Sequence, residues 1–140
     1  MMDAQDTGRR LVWHGVLLFL SGLLIGIVVP VVTNPRMGLS AHVGTVMTGT
    51  FLIAAGFVWR QWPPAWTTAA FWLGLYGSYI SCLGLLLAAV FGTSRSTPIA
   101  GAGHSAAAWQ ESVVNFSLTT SAVAMTVFCV LLLAGLRKRA

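Results

Sequence analysis

Four stretches without a single Lys, Arg, Asp or Glu govern what this chain can fold into: Leu11 to Pro35, Met37 to Trp59, Gln61 to Ser94, and Ser112 to Leu136. Each exceeds the roughly 20 apolar residues that a helix needs to cross about 30 Å of hydrocarbon. Lipid offers no partner to an exposed backbone N–H or C=O, so a stretch of this kind crosses as a helix, with its hydrogen bonds closed internally. With 56% hydrophobic and 8% charged residues in 140, the chain has more apolar surface than one small water-soluble core can bury. The expected fold is therefore all-α: a single integral-membrane four-helix bundle over residues 1–140, with helices near 11–32, 39–60, 66–92 and 110–136. Asn34-Pro35-Arg36-Met37-Gly38 reads as turn chemistry. Pro63-Pro64 breaks any helix, and the segment from Gly92 to Gly103, rich in Gly, Ser, Thr and Pro, is the one long loop.

The formal net charge of +5 suggests nucleic acid until the cations are located. They lie between the apolar runs and form no basic stripe interleaved with aromatics, so no nucleic-acid partner is expected. Arg9, Arg10, Arg60, Arg137, Lys138 and Arg139 fall on one side of the four spans, against Arg36 and Arg95 on the other. That bias places both termini in the cytoplasm. The expected location is a plasma membrane, the inner membrane of a bacterial-type cell, crossed several times. Arg9-Arg10 before an apolar run has the look of a secretory signal, but no small-residue cleavage site follows, and the first helix is expected to stay. Trp13, Trp59, Trp62, Trp66 and Trp109 stand near helix ends, as interfacial anchors do. Cys82 and Cys129 lie far apart inside apolar runs, without metal-ligand spacing, and are expected to be buried free thiols.

Polar residues are few inside the spans, so each counts. His42 is expected in the first turn of the second helix, behind Ser40 as its cap, with a neutral imidazole suited either to a metal or to bridging two helices by hydrogen bonds. His14 opens the first helix at the opposite face as an interfacial anchor, and His104 sits solvated in the loop. Gly74, Gly77, Ser81, Gly84 and Ala88 make one smooth face on the third helix, fit for a close helix crossing or for a cofactor groove. Gly22 and Gly26 on the first helix read as crossing residues. Glu111, Asn115, Thr119, Ala122 and Thr126 form a polar stripe on the fourth span that should turn inward or toward another subunit. His42, Glu111 and Asn115 are expected at comparable depth, within about one turn at 1.5 Å per residue.

Trp13-His14-Gly15-Val16-Leu17-Leu18-Phe19-Leu20 and Asn34-Pro35-Arg36-Met37-Gly38-Leu39-Ser40-Ala41-His42 resemble the hydroxylaminobenzene mutase family and, more distantly, styrene oxide isomerase. The likeness extends through Leu75-Tyr76-Gly77-Ser78-Tyr79 and Trp109-Gln110-Glu111. It implies a small four-helix isomerase, a homotrimer, holding haem b through a histidine that matches His42, with Gly77, Gly84 and Glu111 as further cofactor-lining positions. Its substrate would be a small hydrophobic aromatic taken from the bilayer. An arylhydroxylamine would rearrange to a 2-aminophenol, with ferric haem as Lewis acid on the substrate oxygen. The alternative substrate is an aryl epoxide opened to an aldehyde. Thr48, Tyr76, Tyr79, Ser81 and Asn115 are the candidates for orienting substrate or meeting developing charge. The chain departs from the family pattern at Thr48 and Ser81, where the pattern has Asn. Two rivals come from other classes. An electron-transfer cytochrome would need a second converging histidine, and a haem-free transporter would need an ionisable group at mid-depth.

Overall fold

The computed structural model describes residues 4–59 and 64–137. Arg60, Trp62, Pro63, Lys138 and Arg139 lie outside these, as does the side chain of Trp66, so three of the cations that orient the chain and two of its proposed anchors are not described. Among the described residues five α-helices and one short 3-10 turn make up the fold: α1 Ala4–Val28, the turn Val29–Val31, α2 Pro35–Val58, α3 Pro64–Phe91, α4 Pro98–Gly101 and α5 Ala108–Arg137. No strand occurs among the described residues. Four helices are long and apolar enough to cross a membrane, as the uncharged runs predict; α4 is a single turn inside the long loop.

The helix boundaries differ from expectation in two instructive places. α1 begins at Ala4 instead of near residue 11, because Asp6 and Arg9 form an exposed ion pair of 3.8 Å that decorates its first turns at no cost to the helix. α2 begins at Pro35 instead of near 39. The segment Asn34-Pro35, read as a turn, is a helix start: Asn34 Oδ1 accepts the Met37 N–H at 3.1 Å, and Pro35 occupies the first helical position, where its missing N–H is not needed. Ser40 is therefore no cap. It lies in the second turn and donates to the Arg36 carbonyl at 3.2 Å, and His42 stands two turns into the helix instead of one.

α1 and α2 form one antiparallel pair, α3 and α5 a second, and the pairs join mainly through α2 against α3. Between helices in lipid there is no water to expel, so association rests on close van der Waals fit and small residues set the distance. Gly8, Gly15 and Gly22 of α1 face α2 at seven-residue intervals. A Cβ on Gly49 would stand 2.6 Å from the Phe19 backbone nitrogen and 2.7 Å from the Gly15 carbonyl oxygen, and one on Gly56 would stand 2.7 Å from the Gly8 carbonyl oxygen. The α3 stripe is likewise a helix crossing: Gly74 is covered by the Phe128 ring, Gly77 by Ala124 and Met125, and Gly84 by Ser117 and Leu118. The space beside Gly77 and Gly84, held open for a cofactor by the sequence reading, is filled by α5 side chains.

Leu11, Leu18, Leu52, Ala55, Trp59, Phe71, Leu75 and Phe128 form the core of the bundle toward its N-terminal end, with Met37, Ala88, Ala89 and Val114 filling the end that carries α4. Trp59 is fully buried beside Phe128, centroids 6.4 Å apart, so it is a core residue and not an interfacial anchor. Trp13 and Trp109 are exposed, as anchors should be. Hydrogen bonds tie the α4 end together. Asn34 Nδ2 donates to the Ala100 and Gly101 carbonyls at 3.1 Å each, and its backbone N–H donates to Ala89 O at 3.0 Å. Gly92, at φ 69°, ends α3 in the left-handed region, where a side chain would be strained.

Candidate functional site

His42 occupies the crevice between α1 and α2. Its imidazole lies across Gly26, where a Cβ would come within 2.7 Å of Nδ1 and 3.0 Å of Cε1, so the absence of a side chain at Gly26 is what admits the ring. Nδ1 is 2.7 Å from the Gly22 carbonyl oxygen. A carbonyl only accepts, so Nδ1 carries a proton, and of the two neutral tautomers this is the one whose Nε2 has a lone pair for a metal. A cavity of about 420 Å³ adjoins the ring, walled by Leu23, Gly26, Ile27, Val29, Pro30 and Leu39. Apart from His42 its lining is apolar, and Leu23, Ile27 and Leu39 are themselves exposed on the outside of this chain.

The other residues singled out in the sequence do not gather around His42. Thr48 is half-buried and donates to the Gly44 carbonyl at 2.7 Å, about 9 Å further along α2 at 1.5 Å per residue and about 120° round it at 3.6 residues per turn. Ser81 is half-buried on α3. Asn115 is exposed, and its Oδ1 accepts the Ser96 hydroxyl at 2.9 Å. Glu111 is buried and its two carboxylate oxygens accept the backbone N–H groups of Ser94 and Arg95, both at 3.0 Å. Its position is thus that of a clamp on the long loop. Below it on the same stripe Asn115 is exposed apart from its bond to Ser96, and Thr119, Ala122 and Thr126 are exposed on the outside of this chain. Thr126 satisfies its hydroxyl on the Ala122 carbonyl, which is how a polar residue is tolerated on such a face.

Tyr79 pairs instead with His14, its hydroxyl 2.9 Å from Nδ1, and Tyr76 stacks on Trp72 with centroids 5.2 Å apart. His14 precedes Gly22 along α1 by about 12 Å at 1.5 Å per residue, so this group lies at a different depth from His42. His14 is therefore more than an interfacial anchor. No local pattern announces the pairing, since its partners are far apart in sequence; a histidine near the start of an apolar span is the one signal the sequence offers. His104 stays in the loop, its Nδ1 3.0 Å from the Gly101 carbonyl oxygen. Among the described residues no three His, Cys, Asp or Glu side chains gather to hold a bare metal ion. Cys82 and Cys129 are free and half-buried.

Comparison with known proteins gives this geometry a context. The family model for styrene oxide isomerase matches residues 7–137. Hydroxylaminobenzene mutase HabB of Ectopseudomonas oleovorans is 43% identical over 132 residues, covering 92% of this chain and 80% of its own length. Hydroxylaminobenzene mutase HabA of the same organism is 42% identical over 125 residues, covering 87% of this chain and 93% of its own. No solved structure matches the chain. Nearly the whole described bundle, from the first turns of α1 to the end of α5, lies within the matched region, and the chain belongs to the styrene oxide isomerase family and is an isomerase.

Proposed function

We propose that this protein rearranges an arylhydroxylamine to a 2-aminophenol inside the membrane, with haem b held through His42. The observation that carries the proposal is the His42 tautomer: Nδ1 committed to the Gly22 carbonyl at 2.7 Å and Nε2 left with a lone pair beside an apolar cavity. A haem suits these residues better than a bare ion does. It needs one protein nitrogen and a flat apolar wall, which His42 and the surfaces of Leu23, Ile27 and Leu39 provide, whereas a tetrahedral zinc site needs three or four ligands that do not converge among the described residues.

When bound, the haem supplies a Lewis-acidic iron to the substrate oxygen. The reaction is an isomerisation, so atoms balance without a reductant: the N–O bond breaks, the oxygen bonds to the ring carbon ortho to the one that bears nitrogen, and the proton lost from that ortho carbon is regained at nitrogen. The chain's own contribution is to fix the imidazole through Gly22 O and the space at Gly26, and to exclude water from a charge-separated intermediate with walls that carry no ionisable group besides His42. The family match supports a second substrate class, an aryl epoxide opened to an aldehyde, which needs the same pull on oxygen and the same dry surroundings. Electron transfer is disfavoured because His14 is bonded to Tyr79 at another depth and His104 is held by the loop.

The cytoplasmic placement of both termini, the plasma-membrane location and a homotrimer belong to the same proposal. Support for the trimer comes from the exposed apolar rim of the His42 cavity and from the polar stripe of α5 that faces away from this chain. The test is direct. Haem-loaded protein in detergent should convert phenylhydroxylamine to 2-aminophenol with no added cofactor, and His42→Ala should lose both haem and activity. A loaded protein that acts on neither phenylhydroxylamine nor styrene oxide, or an active haem-free His42→Ala variant, overturns the proposal.

A further inference from the structure

A second cavity, of about 430 Å³, opens between α1 and α3 toward the N-terminal end of the bundle. Its lining is unlike that of the His42 crevice: Arg10, His14, Tyr76 and Tyr79 bring polar groups, and Phe71 and Trp72 bring flat apolar surface. The Trp72 and Tyr76 rings are stacked at an interplanar angle of 17° and are both exposed, so they present a planar aromatic edge to whatever enters. Arg10 has no carboxylate partner among the described residues.

The His14–Tyr79 pair determines what would fit. If the tyrosine hydroxyl donates to Nδ1, the imidazole keeps an Nε2–H donor and the tyrosine oxygen remains an acceptor. If Nδ1–H donates instead, Nε2 is the acceptor and the tyrosine hydroxyl is the donor. In either tautomer the pair offers one donor and one acceptor, at Nε2 and at the tyrosine oxygen, one at each end of the bonded pair. In a membrane these groups have little water to turn to, so an occupant that answers both is favoured over one that answers neither.

We infer that the α1–α3 cavity is a second binding site, for a small planar aromatic carrying a hydroxyl beside another hydrogen-bonding group, with 2-aminophenol as the reference ligand. The ligand's identity rests on the mutase proposal; the existence of the site does not. About 12 Å of helix, at 1.5 Å per residue, separates His14 from the carbonyl that holds His42, so the two sites can be occupied independently. An arylhydroxylamine isomerase makes a product of this chemistry, and the cavity would hold it after it leaves the His42 crevice.

The experiment is equilibrium binding of 2-aminophenol to the full chain in lipid nanodiscs, with protein-free nanodiscs as the blank. His42→Ala should keep one saturable site, phenol should compete and toluene should not. Tyr79→Phe, which preserves the ring, should weaken binding about fivefold, the equivalent of one ordinary hydrogen bond, and His14→Ala should do the same. Absence of saturable binding in His42→Ala, competition by toluene equal to that of phenol, or affinity within twofold of wild type in both Tyr79→Phe and His14→Ala overturns the inference. Binding that persists in an inactive wild-type protein overturns the mutase proposal and leaves this site standing. An active wild-type protein together with no saturable binding in His42→Ala does the reverse.

Discussion

Adding one methyl group at Gly26 or at Gly49 should separate the two tasks of the α1–α2 contact. In Gly26→Ala the new Cβ would stand 2.7 Å from His42 Nδ1, where ordinary contact begins at 3.4 Å, so the imidazole must retreat by about 0.7 Å. That moves Nδ1 from 2.7 Å to about 3.4 Å from the Gly22 oxygen, beyond the roughly 3.2 Å limit of a sound N–H···O bond. Losing it costs about 1 kcal/mol of imidazole placement, or about fivefold in haem affinity. In Gly49→Ala the neighbours are the Phe19 backbone nitrogen at 2.6 Å and the Gly15 carbonyl at 2.7 Å, neither of which can swing aside, so the helices themselves must part. Overpacking of that kind costs about 1–3 kcal/mol of stability, or several degrees of melting temperature at roughly 2–4 °C per kcal/mol, with haem affinity of the folded protein unchanged. Haem titration of the apo-protein together with thermal unfolding in detergent reads both quantities. A Gly26→Ala variant with haem affinity within twofold of wild type, or a Gly49→Ala variant as stable as wild type, refutes the reasoning.

Other substitutions probe the remaining contacts. Asn34→Ala removes the α2 cap and two bonds to the loop carbonyls, and should lower stability by about 2–3 kcal/mol in a denaturation series, haem binding being affected less than folding. Glu111→Ala leaves the Ser94 and Arg95 N–H groups without their acceptor and should cost about 1.5–3 kcal/mol, with faster proteolysis of the long loop as a second readout. Thr48→Val should change kcat less than about threefold, because the Thr48 hydroxyl is spent on the Gly44 carbonyl at a bond worth about 0.5–1.5 kcal/mol; a loss beyond tenfold in steady-state assays would return Thr48 to the reacting atoms.

The four spans could be read from the chain because the absence of charge over a membrane's thickness leaves a helix as the one way to close the backbone hydrogen bonds. Boundaries were harder to place where a local pattern had two uses: Asn34-Pro35 is equally a turn and a helix start, and only the 3.1 Å bond to Met37 N–H decides between them. The Gly8, Gly15, Gly49 and Gly56 contact was present as a seven-residue interval, but which helix faces it is a tertiary fact. The presence of a histidine at position 42 in an apolar span was legible from the sequence itself. The roles of Tyr76, Tyr79, Thr48 and Glu111 were not, because each is set by a partner the local pattern does not specify: Trp72, His14, the Gly44 carbonyl and two loop amides.

The central claim is that Nε2 of His42 is the protein's hold on haem iron, and counting haem per chain tests it most directly. Wild-type protein expressed with ample haem and purified in detergent should yield one haem b per chain by the pyridine haemochrome absorbance. His42→Ala, folded with a melting temperature close to that of haem-free wild-type protein, should yield none. A colourless wild-type protein, or an alanine variant that keeps its full complement of haem, contradicts the account.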